Sequence, residues 1–281
     1  MLRRASMGAW ALAAALCVTV SSAQALDDGK YPDFAGQWRK PNGVTVQWDQ
    51  TKALGLAQQA PLKPEFQAEL EASLKDQGLG GQGVDARYSC LPNGMPRIMT
   101  VVWPIEIVIT PKITYMLFEN NLPRRIFTDG RAFPTDEEPS FNGYSIGKWI
   151  DSAGSGRYDS LEVETRNLKG PRTFEASGIP MHSDNETVVN ERLYLDAQDH
   201  NVLHNDITTY DHALTRPWTV NKRYLRVRDE NVLFYENECS ENNQHVVIGK
   251  EGYYLSADGY LMPVKKGQKP PDLRYFKETQ K

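Results

Sequence analysis

A succession of short strand-forming runs, filling the middle and later parts of the chain, most constrains how it can fold. Ile98 to Trp103, Ile105 to Thr110 and Ile113 to Glu119 are rich in β-branched and aromatic residues and are separated by Pro104 and Pro111. Arg125 to Thr128 follows and stops at Asp129-Gly130. Then come Ser160 to Thr165, Glu186 to Leu195, Val202 to Tyr210, Trp218 to Val227 and Val232 to Cys239. Several succeed each other at about ten-residue spacing, through turn signals such as Asp196-Ala-Gln-Asp199 and Arg228-Asp-Glu-Asn231. That rhythm predicts a mostly β fold, an antiparallel meander closing into a barrel-like (lipocalin-like) domain.

The remainder is sparser. Residues 26–60 form a weakly patterned lead-in with short strands expected at Phe34 to Trp38 and Val44 to Trp48, and residues 251–281 read as an irregular tail. One helix is clear. Pro64 suits a first helical turn, Phe66, Leu70 and Leu74 recur every four residues, and Gly78 is a natural stop. Its apolar face is narrow, so the domain should carry one or two peripheral helices. No linker or repeat divides residues 26–281, which read as a single domain. In Val202 to Tyr210, His204, Asp206 and Thr208 share one face, while Leu203, Asn205, Ile207 and Thr209 share the other. Polar groups on both faces predict one side in solvent and the other lining a partly polar cavity.

The N-terminus has the three parts of a secretory leader. Arg3 and Arg4 supply charge, Met7 to Val20 is an apolar run too short to span a bilayer, and Ala23-Gln24-Ala25 offers a cleavage site after Ala25. Residues 1–25 are therefore expected to be a signal peptide, and the mature protein periplasmic or secreted, with no stable membrane insertion. Leu16 before Cys17 argues against a lipoprotein anchor. Removing the leader's two arginines leaves 30 basic against 36 acidic residues, which disfavours a nucleic-acid partner. Two cysteines remain, Cys90 and Cys239. In an oxidising compartment they most simply pair. The bridge would close a loop of nearly 150 residues, for which chain entropy suggests roughly 4–5 kcal/mol.

From about residue 85 to 250 a set of motifs stands out: Cys90-Leu-Pro-Asn-Gly-Met-Pro-Arg97, Thr128-Asp-Gly-Arg131, Asn142-Gly-Tyr-Ser-Ile-Gly-Lys-Trp149, His182-Ser-Asp184, Glu191-Arg192, Arg216-Pro-Trp-Thr219 and Glu238-Cys-Ser-Glu-Asn-Asn243. In these the chain resembles a family of exported bacterial proteins to which no reaction is assigned. The resemblance implies membership and supplies no chemistry. Two departures stand out. Family members often carry His where this chain has Tyr144, and the segment after Trp149 is irregular here, with Gly154 and Gly156.

Candidate chemistry must come from the residues. Asp129-Gly130 suits a type I′ hairpin turn. With Arg131 and Phe133 it also predicts a loop at a barrel mouth presenting a carboxylate, a guanidinium and a ring. Glu106 interrupts an apolar strand, with Ile105, Ile107 and Ile109 on the opposite face. A carboxylate in apolar surroundings would be disfavoured as an anion and suited to acid–base work; the same pattern fits an exposed Glu. His182 lies on a loop ahead of a strand and could transfer protons alone, with Asp129 or Glu106 near it in space. Ser183 and Asp184 diverge from it along the chain, and no G-x-S-x-G elbow appears. His200 and His204 would be more than about 10 Å apart on a strand. No metal-binding motif or phosphate loop is present, so neither a metal nor a cofactor is expected.

The 13 Tyr and 6 Trp suffice to line a site for a small apolar or aromatic molecule. The first expectation is a cofactor-independent lyase or isomerase. His182, Asp129 and Glu106 would be its acid–base groups, and Tyr144, Arg131, Asn142, Trp149, Phe133 and His204 would contact the substrate. The alternative is a non-catalytic, lipocalin-like carrier of a hydrophobic molecule. A third option is an envelope-assembly protein without a cavity. Oligomeric state is open.

Overall fold

Nine strands close on themselves: β1 (Gly36–Arg39), β2 (Ile105–Ile109), β3 (Ile113–Phe118), β4 (Asn121–Phe127), β5 (Tyr144–Ile150), β6 (Ser160–Arg166), β7 (Val188–Leu195), β8 (Val202–Tyr210) and β9 (Trp218–Arg226). Each pairs with its successor, and β1 returns to β9 to complete the barrel. The structure, a computed structural model, describes residues 27, 29–119, 121–229, 239, 245–248 and 251–271. The expected leader, and the run from Val232 up to Cys239, lie outside them.

Alternation sets the inside and the outside. Ile105, Ile107 and Ile109 of β2 are buried within, while Val108 faces solvent. Leu203, Asn205, Ile207 and Thr209 of β8 likewise point in. Fully burying one such aliphatic side chain is worth roughly 1.5–3 kcal/mol, so this inward face decides the strand register.

Three local expectations are corrected. Asp129-Gly130 does not turn a hairpin. β4 and β5 pair in parallel, Ile126 opposite Ser145 and Phe127 opposite Ile146, so residues 128–143 must carry the chain back along the barrel before β5 starts. The two strands approach closely at Gly147, where a Cβ would stand 2.6 Å from Ile126 Cγ2. Ile98 to Trp103 is not a strand but a 3₁₀ turn, Arg97–Thr100, closed by Val101 with φ at +49°. All four residues of that turn are buried, so the apolar run is satisfied by entering the barrel's end. Val44 to Trp48 is not a strand either. It runs across the same end and buries Trp48 completely against Phe174 and Trp218, with ring centroids 5.3 and 6.3 Å away.

The expected helix forms as α1 (Pro64–Gly78). It lies peripherally and is tied to the body by Ser73 Oγ donating to the Ser177 carbonyl (3.1 Å) and Gln77 Nε2 to that of Ala176 (2.9 Å). The tail is more regular than expected: β10 (His245–Ile248), β11 (Glu251–Leu255) and β12 (Leu261–Pro263) make a small antiparallel sheet. Cys90 and Cys239 are disulfide-bonded. Among the described residues no helix is long and apolar enough to cross a membrane.

Candidate functional site

The barrel differs at its two ends. At one, the 95–101 segment, Trp48, Phe174 and Trp218 are buried together as a plug. The other is where β2, β5 and β7 finish and β6 and β8 begin. Here a cavity of about 680 Å³ opens, lined by Tyr31, Asp33, Ile109, Arg157, Tyr158, Asp159, Leu195 and His200 among others. Beneath the rim lies an aromatic layer. Trp149 meets Tyr31 edge-on at 5.1 Å, stacks on Tyr158 at 6.0 Å and lies 5.7 Å from Phe34. Lys30 Nζ sits 5.0 Å over the Tyr158 ring.

The polar groups of this mouth divide into committed and free. Asp159 accepts from the Ser152 amide (2.7 Å) and from the hydroxyls of Ser152 (3.1 Å) and Ser160 (2.9 Å). Asp33 pairs with Arg226 at 3.1 Å. The Arg157 guanidinium and the His200 ring hold no side-chain partner among the described residues, and the buried Trp149 indole N–H also lacks one there. The unspent capacity at the mouth is that of hydrogen-bond donors beside rings.

Several residues expected from the sequence do come together, but on the outer wall. Asp129 and Arg131 form a forked ion pair with contacts of 2.6–3.1 Å. Arg131 donates to the Tyr144 hydroxyl (3.2 Å) and lies over the Phe127 ring at 3.9 Å. Tyr144 stacks on Phe127 at 4.9 Å and meets Phe133 at 6.1 Å. The Arg131 hydrogen bonds draw the Asp129 carboxyl down to about 2, which makes it a poor proton acceptor near neutrality. Asn142 donates to the Leu122 carbonyl (3.1 Å) beside a smaller cavity of about 350 Å³. The cluster fastens the 128–143 crossover to the barrel.

The remaining expected residues are dispersed. Glu106 stands on the outward face of β2, beside Gln37 at 3.4 Å. His204 faces outward on β8, between Asp196 (3.2 Å) and Asn221 (3.1 Å), and stacks on Tyr194. His182 lies at the plugged end near Phe66 of α1 and the turn after β8. Thus His182, Asp129 and Glu106 occupy three separate parts of the surface. Of the expected contact residues, Trp149 alone lies near the mouth, packed behind its lining rings Tyr31 and Tyr158.

Sequence reasoning missed the barrel's buried charges. Arg124 and Glu191 form a two-pronged ion pair inside the barrel, both almost wholly buried. Arg124 also donates to Ser145 (3.2 Å) and Thr165 (2.9 Å), and Asn205 to Glu191 (2.9 Å). Lys222 is fully buried, with Nζ donating to the Trp48 carbonyl (2.5 Å) and lying 4.4 Å over the Trp48 ring. Burial draws its ammonium from 10.5 to about 7. The one sequence signal was a charge at an inward position of a strand, visible once the alternation is fixed.

No protein-family model matches the chain, and comparisons with curated proteins and with solved structures returned no significant match.

Proposed function

We propose that this protein is a lipocalin-like carrier that binds a small aromatic or apolar molecule bearing a hydrogen-bond acceptor in the mouth of its barrel. The observation that carries this reading is the mouth cavity itself. Its volume falls within the roughly 300–1,000 Å³ typical of small-molecule sites. Its rings offer apolar area, and Arg157 and His200 hold no side-chain partner among the described residues. Ring stacking would hold the apolar part of the ligand and Arg157 its acceptor group. The Cys90–Cys239 disulfide fits an oxidising, extracytoplasmic setting for such a carrier.

The lyase or isomerase reading ranks lower because His182, Asp129 and Glu106 do not share a cavity and Asp129 is locked in an ion pair. An assembly protein without a cavity would fit the filled barrel interior but leaves the mouth unexplained. The test is native mass spectrometry of the protein incubated with a mixture of small aromatic acids. The expected result is one retained compound, released chemically unchanged, with affinity at least tenfold weaker in Tyr158→Ala and Arg157→Ala. Retention untouched by both substitutions, or release of an altered compound, would overturn the carrier reading.

A further inference from the structure

At the plugged end, away from the mouth, two loops bring together His182, Asp184 and His212, whose donor atoms all lie within 4.8 Å of one another. His182 and Asp184 precede β7, and His212 follows β8. The arrangement is held from beneath. The His182 amide donates to Asp211 Oδ1 (2.9 Å), the Thr187 hydroxyl to Asp211 Oδ2 (2.6 Å), and the buried Arg172 guanidinium to the Thr187 hydroxyl (2.6 Å) and the His182 carbonyl (3.4 Å). Asp184 Oδ1 accepts from the Glu186 amide at 3.1 Å.

The disposition of lone pairs matters more than proximity. The Asp184 amide donates to His182 Nδ1 at 3.1 Å, so that nitrogen is unprotonated and its lone pair is turned to the amide, a hydrogen bond that a bound metal ion would replace. Asp184 Oδ2 stands 3.1 Å from the same nitrogen and accepts a hydrogen bond from His212 Nδ1, a proton that a metal ion would displace. Glu186 Oε2 is 3.9 Å from His212 Nδ1. Three carboxylates (Asp184, Glu186 and Asp211) face one guanidinium, which leaves the cluster electron-rich and negative. Such a set of donors is relieved by a cation placed among them.

We infer that His182, Asp184 and His212 form a surface binding site for a borderline divalent transition-metal ion such as Zn²⁺, with Glu186 within reach as a fourth ligand. Two imidazoles and a carboxylate suit this class rather than Ca²⁺ or Mg²⁺, which prefer all-oxygen sets. Donors about 2.1 Å from a tetrahedral ion are roughly 3.4 Å apart, so small side-chain rotations close the present spacing. Anchoring through Asp211 and Arg172 supplies the supporting shell that such ligands need.

Calorimetric titration of the tag-free, oxidised protein with ZnCl₂ alone tests this. The expected result is one equivalent bound, weakened at least tenfold in His212→Ala and in Asp184→Asn, with Mg²⁺ not competing. His212 is exposed, so its variant should keep the wild-type urea midpoint, and that measurement runs alongside. Absence of stoichiometric uptake by the wild-type protein would overturn the inference. So would uptake that survives both substitutions, or that Mg²⁺ displaces.

Discussion

Lys222 lets the buried charge of the barrel be weighed directly. The perturbation is Lys222→Met, which keeps length and apolar bulk and removes the amine. In the folded protein burial draws the ammonium down to about 7, whereas in the unfolded chain it titrates near about 10.4. Between those values the unfolded state holds more protons than the native one, so stability rises with pH. For one such group the rise from pH 7 to pH 9 amounts to about 2 kcal/mol, and it is absent from the methionine variant. A second effect opposes the gain from removing the amine. The Trp48 and Gln47 carbonyls, which receive Nζ at 2.5 and 3.3 Å, lose their donor at a cost of roughly 1–3 kcal/mol. The variant should therefore be the more stable protein at neutral pH and close to wild type at pH 9, its advantage falling by about 2 kcal/mol between the two. Urea unfolding followed by tryptophan fluorescence at several pH values, with the disulfide intact, measures this. Other titrating groups are common to both proteins and cancel in the difference. Parallel pH profiles for wild type and Lys222→Met would refute the reasoning, because they would mean that folding does not shift the amine into this window.

Glu191→Gln should destabilise the protein by roughly 3–5 kcal/mol in urea unfolding, because it leaves the Arg124 guanidinium buried without its counter-ion, whereas replacing both partners by apolar residues should be far milder. Replacing Cys90 and Cys239 together by serine should lower the stability by up to roughly 4–5 kcal/mol, since the bridge spans 149 positions of the chain; an unchanged urea midpoint would mean that the unfolded chain gains little freedom.

The parts of the fold legible in the sequence were those written in local periodicity. The strands β2, β3 and β6 to β9 and helix α1 appeared within a residue or two of their expected bounds, because each carries its own alternation and its own stops. The parallel step from β4 to β5 was hidden, since Asp129-Gly130 has the chemistry of a hairpin and nothing local says that the chain must travel back first. Gly147 of the Asn142–Trp149 motif is required by that step, so part of the motif reports strand packing rather than a reaction. The 97–100 turn was hidden for a different reason. An apolar run buried on all sides has the same composition whether it is a strand or a plug.

The candidate sites were less legible because they are assembled across the chain. Arg124 meets Glu191 across 67 positions, and the mouth joins Tyr31 to Tyr158 and His200 from separate loops. Only Trp149, at the end of a strand, was reached from its motif. A barrel wall leaves such loops free to vary, while inward charges hold the register from within. Here those charges lie toward the plugged end: Arg124 donates to Ser145 near the start of β5 and contacts Met99 of the plug, and Lys222 reaches back to Trp48. The mouth is built instead from rings and from donors that the fold itself does not use. The inward charges of the barrel are spent on partners within the fold, whereas Arg157 and His200 at the cavity hold no side-chain partner among the described residues, and on that difference the proposal of ligand binding at the mouth rests.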